Sequence, residues 1–131
     1  MRKITIPLVL LSLSVAAQAQ PERRTFACQG TITKQPDGTS EPISMGITIN
    51  FTTLTVHGFG GTSDVKITYM DAAMIAFDGI DPVAPNQVTH WAVHGSMNRS
   101  TGDVEVTSTL LLLKTGSVAG STSYALNCRP T

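Results

Sequence analysis

Cysteine, aromatic side chains and charge are all scarce in this 131-residue chain. Two cysteines, with no C-x-x-C spacing and no histidine close to either, argue against a thiolate metal site or a redox pair. Only 14% of residues are charged, and past the N-terminal segment Arg23-Arg24 is the sole basic doublet, read as a solvated chain end. A nucleic-acid or anionic-membrane surface needs clustered positive charge, so neither partner is expected. No G-x-S-x-G stands in the chain, and the glycine-rich 58–61 opens no helix that would cradle a phosphate. Beyond residue 19, Gly, Pro or Thr interrupts every apolar stripe at helical spacing, which leaves no helix to expect.

The one long apolar run lies at the N-terminus. Arg2 and Lys3, the stretch 4–17 and the small-x-small site Ala17-Gln18-Ala19 read as an export signal over residues 1–19. The run is short for a membrane span and contains Pro7, and no Cys follows the cleavage site as a lipid anchor would need. The expected product is an exported protein, periplasmic or secreted, not inserted in the membrane once the signal is cleaved. Residues 20–131 then form a single domain with one modest core. Without the two leader cations, seven Lys and Arg face nine Asp and Glu, a net charge of −2.

What remains is rich in Thr and Val, as strands prefer. The stretch 90–113 reads as a long hairpin: Trp91, Val93 and Met97 share one face of the first arm. Val104, Val106, Ser108, Leu110 and Leu112 share a face of the second. Residues 98–102 supply the turn, with Gly102 placed for a positive φ. In 43–51, Ile43, Met45, Ile47, Ile49 and Phe51 alternate with small or polar residues. Val56 has the opposite parity, so a turn or bulge is required near 52–54. Further strands are expected at 24–33, 55–59, 65–69 (Val65, Ile67 and Tyr69 inward), 73–77 and 121–128, with a long loop at 78–86.

Eight short strands joined in series predict an all-β fold, an eight-stranded antiparallel up-and-down barrel, with a two-sheet β-sandwich as the alternative. Cys28 and Cys128 stand near the two ends of the domain on matching inward parity. In an exported chain they are expected to form one disulfide, favouring a closed barrel in which the first and last strands are neighbours.

The segments F-x-C-x-G (Phe26 to Gly30), V-x-G-F (Val56 to Phe59), G-S-M-N-R-S-T-G-D-V-E (Gly95 to Glu105) and Y-x-L-x-C (Tyr124 to Cys128) resemble a group of small exported proteins of soil and plant-associated alphaproteobacteria. That resemblance covers most of the domain and implies an exported all-β protein with no particular activity. The aromatic-x-Cys of the first strand is also similar to periplasmic lysozyme inhibitors, over Phe26 to Gly30 alone.

Candidate chemistry is thin. His90 and His94 share a strand face, about 13 Å apart at roughly 3.4 Å per residue, too far for one ion to bridge. No carboxylate is fixed beside His57 by spacing, and Asp78-Gly79 and Asp81-Pro82, with Asp71 upstream, are ordinary turn dipeptides. No catalytic, cofactor or metal residues are therefore assigned, and a non-enzymatic role is expected. Two surfaces stand out. Continued alternation puts Leu111 and Leu113 on the wet side of their strand beside Val88, a candidate patch for weak self-association or for an extracytoplasmic protein. The loop residues Ile80, Asp81, Pro82 and Val83 are candidates for a protruding contact, as a hydrolase inhibitor acting on lysozyme or a protease would need. Trp91 is expected in the core or at a rim. The preferred function is a small exported barrel that binds a small apolar ligand in its mouth or a macromolecule on its wall, with the inhibitor as the alternative.

Overall fold

The computed structural model describes residues 22–59, 64–80 and 87–131. The expected signal segment, 1–19, lies outside them. Eight strands follow one another: β1 Arg23–Gln35, β2 Thr39–Asn50, β3 Thr55–His57, β4 Val65–Met70, β5 Met74–Ile80, β6 Thr89–Asn98, β7 Asp103–Leu112 and β8 Val118–Pro130. Each pairs antiparallel with the next, and β8 returns to β1, so the sheet is a closed barrel and not a sandwich. Among the described residues there is no helix.

Closure has a definite stagger. Hydrogen-bonded partners traced once round the wall from Arg23 pass through Asn50, Thr55, Lys66, Asp78, His94, Thr107 and Ser123 and return to β1 at Thr33. That offset along β1 tilts every strand against the barrel axis, as closure of a twisted sheet demands. Two ends result. The near end holds the start of β1, the finish of β8 and the β2–β3, β4–β5 and β6–β7 turns; the far end holds the β1–β2 and β7–β8 turns.

Alternation places the core where the period of two requires it. Phe26, Cys28, Ile47, Ile49, Val56, Val65, Ile75, Phe77, Val93, Met97, Val104, Val106, Leu126 and Cys128 are buried within the barrel. Cys28 and Cys128 face each other directly across the β1–β8 seam and are bonded. Bulk is balanced across strands. Gly95 lies opposite Phe77, and a Cβ on it would come within 2.7 Å of both the Phe77 ring and Val106. The β6–β7 turn closes on Gly102 at φ 78, where an added Cβ would also meet the Cys128 carbonyl at 2.2 Å.

Several sequence expectations need correction. The strand expected to reach Phe59 stops at His57; the chain turns at Gly58, and Phe59 enters the interior with 1% of its surface exposed. There it stacks on Phe77 at 5.7 Å and meets Tyr124 edge-on at 5.5 Å. The parity change after Phe51 is a turn, with the Asn50 side chain accepting from the amides of Thr52 and Thr53 at 3.0 Å each. Tyr69, expected inward, is 52% exposed because the β4–β5 register shifts between Ile67 and Tyr69, and a bulge reverses the faces beyond it. The expected loop 78–86 is shorter at its start, since β5 runs on to Ile80. Arg23 and Arg24 are strand residues paired with Asn50 and Ile49, not a loose end.

The Tyr69 correction creates a titratable turn. The Tyr69 hydroxyl donates to Asp71 at 2.7 Å, and the amides of Ala73 and Met74 donate to the same carboxylate at 2.8 and 2.7 Å. Tyr69 first, then the Met74 and Ala73 amides and the Arg99 charge, hold the Asp71 carboxyl below its ordinary value of 3.8. A depressed folded-state pKa gives stability that is present above the ordinary value and is lost as pH falls through the folded one. Asp71→Asn keeps an amide acceptor but removes the charge. It is therefore expected to flatten the loss of thermal stability between pH 5 and pH 2, read by circular dichroism melts; equal slopes in both proteins would show that this turn does not report acid.

Candidate functional site

At the near end the barrel opens into a cavity of about 620 Å³. Its floor is apolar: Phe26, Ile75 and Met97 are inward residues of β1, β5 and β6, and the half-buried Phe51 closes one side. Its rim is cationic. Arg24 has the inward parity of Phe26 and Cys28 but sits where β1 begins, so its side chain lines the opening. Arg99 comes from the β6–β7 turn and Arg129 from the end of β8. Hence all four arginines of residues 20–131 lie on near-end segments, three of them at the opening, while none of the three lysines lines it.

Each rim cation is positioned differently. The Arg24 guanidinium lies 5.7 Å from the centroid of the Phe26 ring, and that of Arg99 lies 6.0 Å from the Phe51 ring. Arg99 is further held by Nη1, which donates to the Asp71 main-chain carbonyl at 2.8 Å. The turn beneath is built by Asn98, whose side-chain oxygen accepts from the amides of Ser100 and Thr101 at 2.9 and 3.1 Å. Polar groups supply more of its accessible lining than apolar ones, and its size falls in the usual range of small-molecule sites, roughly 300–1,000 Å³. A larger hollow of about 930 Å³ lies on the outer wall around Ala27, Gln29, Gly30 and Ser44. It brings a single cation to bear, Arg129, and its lining includes the apolar side chains of Pro42 and Ile43.

The histidines have partners that spacing did not reveal. His57 Nδ1 lies 2.8 Å from Asp64, and His94 Nδ1 bonds to Asp78, its direct neighbour across β5 and β6. Both pairs are exposed on the outer wall, His94 with 78% of its side chain in solvent, and His57 and Asp64 line a hollow of about 350 Å³ with Arg23, Thr48, Asn50 and Thr55. Among the described residues, no three His, Cys, Asp or Glu converge as a ligand set. His90 differs: its Nδ1 is buried with no hydrogen-bonding partner among the described residues.

The expected apolar patch is partly altered. The β6–β7 register runs unbroken to Thr89–Leu112, so Leu111 keeps its outward parity and pairs with His90. The irregularity falls on β8, where Leu110 meets Gly120 and Leu111 meets Val118, leaving Ala119 unpaired. Leu113 extends the ladder by donating its amide to the Val88 carbonyl at 2.9 Å. Leu111 and Leu113 are nonetheless half-buried, and it is Val88 and Val118 that stand out, at 64% and 63% exposed. Ile80, at the end of β5, is 65% exposed, while Asp81, Pro82 and Val83 lie outside the described residues. Trp91 is half-buried on the inward parity opposite Leu110, towards the far end.

The arginine rim was missed in the sequence because its three members are far apart in the chain. Only the register of β1 and β8 and the placement of one turn bring Arg24, Arg99 and Arg129 together. A scan for basic clusters sees a doublet and two isolated residues. Comparison with protein-family models, with curated proteins and with solved structures finds no match for the chain.

Proposed function

We propose that the domain is an exported binding barrel that takes up a small, largely apolar molecule in its near mouth, without turning it over. The observation that carries this is the hollow itself, about 620 Å³ at the near end of the barrel, with Phe26, Phe51, Ile75 and Met97 at its base and three arginines round it. The bonded Cys28–Cys128 pair suits the oxidising, extracytoplasmic setting in which such a carrier would meet its ligand. The long paired ladders between β1 and β8, β5 and β6, β6 and β7, and β7 and β8, which carry most of the cavity's lining, support a pre-formed site.

Titration of the disulfide-bonded protein with 2-naphthol, followed by ¹⁵N NMR, tests this. Saturable shifts are expected at Phe26, Phe51, Ile75, Met97 and residues 100–102, and they should vanish in Ala72→Trp. That change places an indole in the opening from the exposed β4–β5 turn. Shifts scattered over the outer wall, or shifts that survive Ala72→Trp, would defeat the proposal.

A further inference from the structure

The charge of the mouth narrows what enters it, on the reading that this mouth is the binding site. Residues 20–131 carry two more carboxylates than cations, yet three arginines and no Asp or Glu line the cavity. Local charge therefore runs against the charge of the whole domain. None of the three makes an ion pair among the described residues, where the pairs are Lys34–Glu41, His57–Asp64 and His94–Asp78. Asp71 approaches Arg99, but its carboxylate is taken up by the Tyr69 hydroxyl and two turn amides, and Arg99 bonds to its main-chain carbonyl instead.

The chemistry of arginine makes this arrangement pointed. A guanidinium over an aromatic face is held in place while its in-plane N–H donors remain available at the edge. Arg24 over Phe26 fits that description at the opening, and Arg129 makes no side-chain ion pair or hydrogen bond among the described residues. Unpaired guanidinium donors above an apolar floor are complementary to a molecule with a negative head and an apolar body.

We propose that the ligand of the near mouth is an organic acid. An aromatic or alkyl body rests against Phe26, Phe51, Ile75 and Met97, and a carboxylate, sulfonate or phosphate is held at the rim by Arg24 and Arg129 with Arg99 beside them. The concavity favours a small molecule over an acidic protein face, because the apolar floor lies inside the barrel where a flat surface cannot reach. The arginines select among apolar molecules; the floor does not.

The test compares 2-naphthoate with 2-naphthol, which offers the same ring system without the negative charge at pH 7. Both are titrated into the disulfide-bonded protein at low and at high salt, with NMR shifts at Ile75, Met97 and residues 100–102 as the readout. Naphthoate is expected to bind about tenfold more tightly than naphthol, the advantage of a charge-assisted hydrogen bond at a partly wet rim. That preference should shrink at high salt, where exposed charges are screened. It should disappear in the double variant Arg24→Gln/Arg129→Gln, read as the ratio of naphthoate to naphthol affinity in each protein; Arg99 is kept because it holds the Asp71 turn. Equal affinity for the two compounds, or a preference that survives the double substitution, would overturn the acid assignment while mouth binding stands. If neither compound moves these residues, mouth binding itself fails and the acid assignment fails with it. A melt of the double variant matching that of the parent shows that lost affinity is not lost fold.

Discussion

Replacing Cys28 and Cys128 together with serine is expected to lower the stability of the barrel by about 4–5 kcal/mol, the entropy released when a loop of this length is no longer closed in the unfolded chain. The bonded pair spans a sequence separation of 100, almost the whole domain, so the crosslink restricts the unfolded ensemble nearly as much as a single bridge can. Small domains are stable by only about 5–15 kcal/mol, so the change removes a large fraction of the total. At roughly 4–8 °C per kcal/mol for a chain near this size, the melting temperature should fall by about 20 °C or more. The position of the pair adds a second expectation. Cys28 and Cys128 lie opposite each other in the β1–β8 ladder, which closes the sheet, and the hydrogen bonds of that ladder do not depend on the sulfur atoms. The double variant should therefore keep the far-ultraviolet spectrum of the barrel at low temperature and lose it early on heating. A melting temperature within a few degrees of the parent would mean that the reduced chain is already restricted by other means, and that the bridge is not what secures the seam.

Phe59→Ala is expected to cost about 3–5 kcal/mol, the range for deleting a buried ring from a packed core. The reason lies in the wall. Strand β3 is only three residues long and meets β2 at Thr48 to Asn50 alone, so β2 from Thr39 to Ile47 has no β3 beside it. Phe59 follows β3 directly and is buried against Phe77 and Tyr124, filling the interior at that level. Its backbone approach is equally close: at Gly58, with φ 132, a Cβ would come within 2.9 Å of the Gly46 carbonyl. Removing the ring leaves Phe77 and Tyr124 without their shared neighbour, and a closed sheet can collapse only slightly to fill the gap. Phe51 makes the control. It is half-buried at the edge of the mouth, and its truncation should cost clearly less, with its effect falling on ligand affinity. Urea unfolding of both variants decides. A loss below about 1 kcal/mol for Phe59→Ala would show that the interior can repack without the ring.

Some of this architecture is legible from residues alone because it depends on local period. Alternation in Ile43 to Phe51 and in Val104 to Leu112 marks a face, which is buried at Ile47, Ile49, Val104, Val106 and Ser108 and half-buried at the other positions. Gly102 is legible for a similar reason: the turn between two strongly alternating arms needs a positive φ, and the residue there adopts φ 78. The cysteine pairing follows from parity and even count, and the seam between first and last strands then follows from the pairing. Period fails where the backbone departs from it. The bulge beyond Ile67 turns Tyr69 outward, and the early end of β3 sends Phe59 inward, because each depends on neighbours contributed by other strands.

The amino-acid sequence by itself determined that this is a serial all-β domain with two cysteines on one face, since strand parity and turn chemistry act over a few residues. Tertiary structure alone decided which side chains meet. The stagger of the closed sheet sets the level of each strand against the next, and that level brings Asp78 to His94 and gathers Arg24, Arg99 and Arg129 round one opening. Stagger is a property of the whole ring of hydrogen bonds. No single segment encodes it, and so the candidate site appears only when the barrel closes.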